Sequence, residues 1–248
     1  MRILGIIPAR YASSRFPGKP LVEIDGKTMI RRVYEQSQKA KSLTDVIVAT
    51  DDVKIEQEII GFGGKVMITS TKHRSGTDRC REVIDNLEAS GEHYDAVVNI
   101  QGDEPFIESQ QIDLITECFQ DRQTEIATLA KKIQKSSELF SPNVNKVIWN
   151  IRGEAIYFSR NPIPFMQNIA KDEWINKGVY YKHIGIYGYR TETLKKITRL
   201  EPGRLEIAES LEQLRWIENG FKIVVRETPF DSISIDTPED LSEFLNNA

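Results

Sequence analysis

Residues 1–30 read MRILGIIPARYASSRFPGKPLVEIDGKTMI, and their opening decides how the rest of the chain is read. Ile3 to Ile7 form a short apolar run that ends in Pro8, the pattern of a buried strand bounded by a turn signal. A loop follows that carries Arg10, Arg15 and Lys19, with Pro17 and Gly18 just before the lysine and no acidic residue until Glu23. The whole chain has a net charge of -4, so this loop runs against the overall balance. Like charges held together repel, and an anion bound at the loop would neutralise them.

Working outward, short β-branched runs alternate with helical patterns. Ile3–Ile7, Asp45–Thr50, Lys65–Ile68 and Ala96–Ile100 read as strands, while Met29–Ala40, Val53–Ile60 and Thr77–Leu87 read as helices with apolar residues three and four apart. That alternation predicts an α/β fold, a mostly parallel central sheet with helices on both faces. Further strand-like runs occur at Ala127–Leu129, Val147–Trp149, Ala155–Phe158 and Ile184–Tyr189. Pro162, Pro164 and the polar stretch Gln167–Gly178 interrupt them and predict a small inserted excursion. With no repeat and no low-complexity linker, residues 1–248 are expected to form a single domain.

Composition narrows the class. Over 248 residues, 28% are charged and the apolar content is ordinary, as expected for a soluble globular protein. The N-terminal apolar run is too short for a signal-peptide core and no run approaches a spanning length, so a cytoplasmic location without membrane contact is expected. Cys80 and Cys118 lack metal-binding spacing and read as reduced, buried thiols. The mild acidity argues against nucleic acid as a partner.

In open sheets of this kind ligands sit at the carboxyl ends of the strands. A polyphosphate suits the first loop, since arginine offers bidentate donors and lysine a point charge; taken alone, the loop also reads as a solvated basic segment. No Walker ending is present. GFGGK at 61–65 lacks dinucleotide spacing, follows a helix rather than a strand, and reads as a helix C-cap turn. Asp103 follows one predicted strand, Glu104 and Pro105 come next, and Asp236 follows another, Ser232–Ile235. Thr237 can cap the next helix with Asp240 reaching back, which leaves the Asp236 side chain free. Two aspartates at strand ends suit magnesium, a hard cation held by one or two carboxylates plus substrate phosphates.

IIPARYASSRFPGKPL, HRSGTDR, VVNIQGDEP, YFSRNPIPF, HIGIYGYR, LEQLRW and DTPEDL, in that order, resemble the sugar nucleotidyltransferases and within them the CMP-Kdo synthetases. The likeness runs over nearly the whole chain. It implies a Rossmann-like nucleotidyltransferase fold and transfer of a cytidylyl group from CTP to 3-deoxy-manno-octulosonate (Kdo), releasing pyrophosphate, for lipopolysaccharide biosynthesis. It also implies that Asp103 and Asp236 hold the magnesium, with Arg10, Arg15 and Lys19 on the phosphates. Ala9, Arg10, Lys19, Ser75, Gly76, Thr77 and Gln101 would contact the nucleotide. Arg160, His183, Tyr187, Glu212 and Gln213 would contact the sugar acid, and the assembly would be a homodimer.

Several of these segments have plainer readings. Ser75-Gly76-Thr77 also reads as a helix cap, and His183 as a core-edge histidine. Glu209, Glu212 and Gln213 also fit the solvated face of one helix whose apolar stripe is Ile207, Leu211 and Leu214, while Tyr187 fits the core by alternation. An 8-amino analogue of Kdo or a sialic-acid-like acid remains an alternative acceptor. A nucleotide-sensing protein on the same fold is a different class, but a sensor need not keep both Asp103 and Asp236.

Overall fold

The run that opens the chain is strand β1, Ile3–Ala9. Every residue of it except Pro8 is buried, which is what a strand covered on both faces requires. The computed structural model describes residues 1–12, 16–232 and 234–247. Within the chain read above as one domain, two compact units form: residues 1–116 with 232–248, and residues 117–231.

In the first unit, β2 (Glu23–Ile24) and β3 (Lys27–Thr28) make a small hairpin. Thr28 then caps α1, Met29–Ser37, by accepting from the Arg31 amide. Met29, Ile30, Val33 and Tyr34 are among its buried residues, the spacing of one helical face. Next come β4 (Asp45–Thr50), α2 (Val53–Gly61), β5 (Val66–Ile68), α3 (Gly76–Ala89), β6 (Ala96–Asn99) and α4 (Ser109–Glu117). The strands run in the order β6-β1-β4-β5, each pair parallel. Ile6 lies opposite Ile47 on one side and Asn99 on the other. The α/β expectation therefore holds, with boundaries displaced by only a residue or a few. Gly64, in the GFGGK turn, donates its amide to the Ile59 carbonyl with Gly63 at φ 79°, which is the C-cap expected there.

The second unit begins its sheet with β7, Ile126–Lys132, followed by α5 (Ser136–Phe140), β8 (Lys146–Trp149) and β9 (Ala155–Ser159). The polar excursion supplies α6, Trp174–Lys177. Trp174 is buried against Ile133, Leu139 and Tyr180 and donates its indole N–H to the Ile169 carbonyl at 2.9 Å, so one aromatic side chain anchors an otherwise polar stretch. Then follow β10 (Tyr181–Arg190), α7 (Thr191–Ile197), α8 (Arg204–Glu209), α9 (Gln213–Glu218) and β11 (Ile223–Glu227). β10 pairs antiparallel with β7 and β8, and β11 runs parallel to β7.

Two expectations need correction. The helix read through Glu209, Glu212 and Gln213 is two short helices, because Ser210 takes φ 53° and ends α8 with its amide on the Glu206 carbonyl; Ile207, assigned to the apolar stripe, is exposed. The strand expected at Ser232–Ile235 is absent at its described residues. Ile235 instead donates its amide to the Asp103 carbonyl at 3.0 Å, which ties this segment to the loop after β6. The last helix, α10 (Pro238–Asn247), returns to the first unit. Asp240 accepts from the amides of Asp236 and Thr237, each at 2.8 Å, and Thr237 accepts from Asp240. This is the reciprocal cap expected from DTPED.

Candidate active site

A cavity of about 400 Å³ opens at the carboxyl ends of β1 and β6 in the first unit. Its wall includes Ala9, Arg10, Lys19, Ser75, Gly76, Gln101, Asp103 and Asp236. Close packing shapes it: a Cβ on Gly102 would stand 2.7 Å from the Pro8 carbonyl oxygen, and one on Gly76 3.3 Å from the Pro8 ring. Only glycine lets the loop after β6 approach the end of β1 this closely, and Gly76 keeps the start of α3 tight against the Pro8 ring.

Gly18, at φ 72°, turns the first loop into a short 3-10 segment that begins at Lys19. The lysine ammonium donates to Asp103 Oδ2 at 2.7 Å and Asp236 Oδ1 at 3.0 Å. Its side chain is 11% exposed, so the ammonium is largely withdrawn from water while both carboxylates stay partly open to it. The counter-charges missing from the loop's own sequence thus arrive from 84 and 217 residues away. Arg10 is exposed, and its guanidinium reaches the His73 carbonyl at 3.4 Å. Arg15 lies outside the described residues.

Glu104 is buried beside this pair. Burial pushes its carboxyl up to about 7, and the charges of Asp103 and Asp236 push the same way while a hydrogen bond from Ser232 opposes them. The two aspartates outnumber the single lysine that bridges them. Two carboxylate oxygens that meet on one nitrogen are also within reach of one cation, and both are hard donors. No group of three potential metal ligands occurs among the described residues, so an ion here would draw its remaining ligands from phosphate and water. Magnesium has that habit, and the residues fit it.

Ser75 caps α3 by accepting from the Asp78 amide at 3.1 Å, while Thr77 is buried in the first turn and is not part of the cavity wall. Capping is thus a role Ser75 has, and its place in the wall leaves ligand contact open to it as well. Arg79 joins the site through the fold. This arginine is 1% exposed, lines the cavity, and holds Asp51 at 2.7 Å and the Thr69 hydroxyl. The signal was an arginine in the first turn of α3 and an aspartate just past β4, both at the ligand end of the sheet.

The second unit holds the other five candidates. His183 and Tyr187 flank an irregularity in β10, where the Thr128 hydroxyl shares a hydrogen bond with His183 Nε2 (3.0 Å). Burial depresses the His183 ring to about 3, so it is neutral at ordinary pH. Burial raises the Tyr187 phenol well above its usual range and the charge of Glu212 adds to the rise. Trp216, one turn after Gln213 in α9, packs edge-on to Tyr187 with ring centroids 5.2 Å apart. Gln213 Nε2 and Trp216 Nε1 are buried and have no hydrogen-bond partner among the described residues. Buried donors in that state are uncommon and suit a polar ligand or water; Trp216, inside the quoted LEQLRW, was not singled out.

Arg160 is engaged differently from the expectation of a carboxylate clamp. Its guanidinium donates to the backbone carbonyls of Glu209 (2.6 Å), Pro142 (3.0 Å) and Ser210 (3.4 Å), and its amide to Glu209 Oε2 (2.9 Å). The side chain therefore ties three segments of the second unit together.

Residues 4–223 match the family model described as Cytidylyltransferase. The chain is 54% identical over 254 residues to the 3-deoxy-manno-octulosonate cytidylyltransferase of Bacteroides thetaiotaomicron, covering 100% of this chain and 99% of the relative. It is 53% identical over 249 residues to the enzyme of the same name from Parabacteroides distasonis, covering 99% and 97%. Among solved structures, that of a CMP:2-keto-3-deoxy-manno-octonic acid synthetase complexed with CTP superposes with a TM-score of 0.91 at 39% identity, covering 100% of this chain and 98% of the other.

Proposed function

The chain belongs to the cytidylyltransferase family, and from that premise we propose that it transfers the cytidylyl group of CTP to the anomeric hydroxyl of Kdo. The acceptor oxygen forms a bond to the α-phosphorus, the bond from that phosphorus to the bridging oxygen breaks, and pyrophosphate leaves carrying the electron pair. Lys19 and Arg10, with Arg15, hold the triphosphate and offset charge that grows on its oxygens in the transition state. Asp103 and Asp236 would hold magnesium, which supplies charge screening on the phosphates and a lowered pKa for the attacking hydroxyl. Ala9, Ser75, Gly76 and Gln101 position the nucleotide from the cavity wall, with Thr77 buried behind them in the first turn of α3. No protein nucleophile is required.

The observation that carries this reading is Lys19 bridging Asp103 and Asp236 at the wall of a cavity of about 400 Å³. A phosphate-binding cation and two hard metal donors thereby share one point. Acceptor recognition is assigned to the second unit: His183, Tyr187, Glu212 and Gln213 read the sugar, and Arg160 its carboxylate. The names carried by the relatives favour Kdo over a sialic-acid-like acid or an 8-amino analogue. The product would feed lipopolysaccharide synthesis, and a cytoplasmic homodimer is the proposed working form. No helix among the described residues is long and apolar enough to cross a membrane.

Pyrophosphate release, assayed with each nucleoside triphosphate against a panel of sugar acids, tests the proposal. Release with CTP and Kdo together, and with neither alone, is the expected result. Equal release with another base, or release that ignores the acid, would refute it.

A further inference from the structure

Lys146 is the side chain of the second unit whose burial is hardest to justify by packing alone. It opens β8 and is 0% exposed. Among the described residues its ammonium faces no carboxylate in an ion pair. It donates instead to three backbone carbonyls: Ser141 at 2.8 Å, Val144, and Arg160. An ammonium has three N–H bonds and no acceptor capacity, so three carbonyls exhaust it. Burial lowers its pKa to about 8; the charge of Glu209 opposes that fall and the charge of Arg160 assists it. An apolar residue would avoid this desolvation, yet it would strand the Val144 and Arg160 carbonyls and leave that of Ser141 with the Val144 amide at 3.3 Å.

The segments held this way carry the acceptor candidates. Asn145, next to Lys146, accepts the His183 amide at 2.8 Å, and Lys146 and Lys182 are register partners across β8 and β10. Arg160, whose carbonyl the ammonium holds, fastens in turn to Pro142 and to Glu209 and Ser210. Glu212 and Gln213 follow two and three residues after Ser210. One buried charge thus ties the turn at 141–146, the segment after β9 and, through Arg160, the break between α8 and α9.

We propose that Lys146 is a positioning residue for the acceptor acid: its ammonium fixes the backbone from which His183, Arg160, Glu212 and Gln213 are presented. This rests on the assignment of those residues to the acceptor. It makes no claim that Lys146 touches the substrate.

Steady-state kinetics of the full-length enzyme with magnesium, CTP and Kdo test it, using Lys146→Met, Lys146→Arg and, as reference, His183→Ala. Lys146→Met keeps a similar stem and removes the charge. It should raise KM for Kdo by about tenfold to a hundredfold while KM for CTP stays within about twofold, as expected for a misplacement confined to one substrate. A purely structural role would lower the Tm and the yield of active enzyme and leave both KM values in place; a folded Lys146→Met variant behaving so overturns the proposal. Should Lys146→Met not fold, Lys146→Arg decides. Its larger planar fork cannot sit at the one point on which these three carbonyls converge, and an unchanged KM for Kdo in that variant overturns the proposal equally. A raised KM for Kdo in His183→Ala without one in the Lys146 variants removes only Lys146 from the account. No change in any of the three removes the acceptor assignment and this inference with it.

Discussion

Replacing Lys19 with alanine should separate the two things that lysine does. In the protein without substrate it bridges Asp103 and Asp236 through contacts of 2.7 and 3.0 Å, with side-chain exposures of 11%, 28% and 32% for the lysine and the two aspartates. Hydrogen bonds to charged groups are each worth about 1.5–3 kcal/mol. Partial exposure of both carboxylates discounts that figure, and about 2–4 kcal/mol remains for the pair. For a chain of this size each kcal/mol moves the melting point by roughly 2–4 °C, so a fall of about 4–16 °C is expected in EDTA. Magnesium should recover part of it, because the ion can meet the two carboxylates that the alanine leaves facing each other beside Glu104. The gain in Tm between EDTA and magnesium should therefore be larger in Lys19→Ala than in the parent. Turnover should not recover. Loss of one transition-state contact to the phosphates costs about 3–4 kcal/mol, or roughly a hundredfold to a thousandfold in rate. Differential scanning calorimetry with and without magnesium, paired with pyrophosphate release, measures both. A folded Lys19→Ala protein that turns over within about fivefold of the parent would refute the reasoning.

Asp236→Asn keeps the shape and removes one charge, so magnesium-dependent turnover should collapse by about a hundredfold or more, and activity that survives EDTA in the parent would sink the metal assignment. Arg160→Lys should lose its contacts to the Glu209, Pro142 and Ser210 carbonyls as well as any hold on a substrate carboxylate, so a rise in KM for Kdo should come with a lower Tm; a selective rise in KM for CTP would move Arg160 out of the acceptor half. His183 has a folded-state pKa lowered to about 3 by burial, against about 6.5 when unfolded. Between those values the unfolded chain binds the extra proton, so this residue's contribution is fully present above pH 6.5 and is lost as the pH falls. At pH 5 the loss is on the order of 2 kcal/mol, and His183→Gln should flatten the fall in Tm between pH 7 and pH 5; an unchanged slope would mean the ring titrates freely.

Periodicity and turn chemistry, which belong to the sequence alone, determined much of this protein. The strands of the first unit, the caps at Ser75 and Thr237, and the placing of Lys19, Asp103 and Asp236 at loop ends all follow from neighbours within a few residues, and a local pattern survives in a one-dimensional reading. What the tertiary structure decided was which charges meet and what each buried donor does. Lys19 finds carboxylates 84 and 217 residues away, and Arg79 finds Asp51. Arg160 anchors its guanidinium on three backbone carbonyls, Lys146 disappears into the second unit, and Ser210 breaks a helix that its composition would have continued. These outcomes depend on desolvation and on partners that only the folded chain brings together. A charged residue in sequence has a type and a position, but its burial and its counter-charge are properties of the fold.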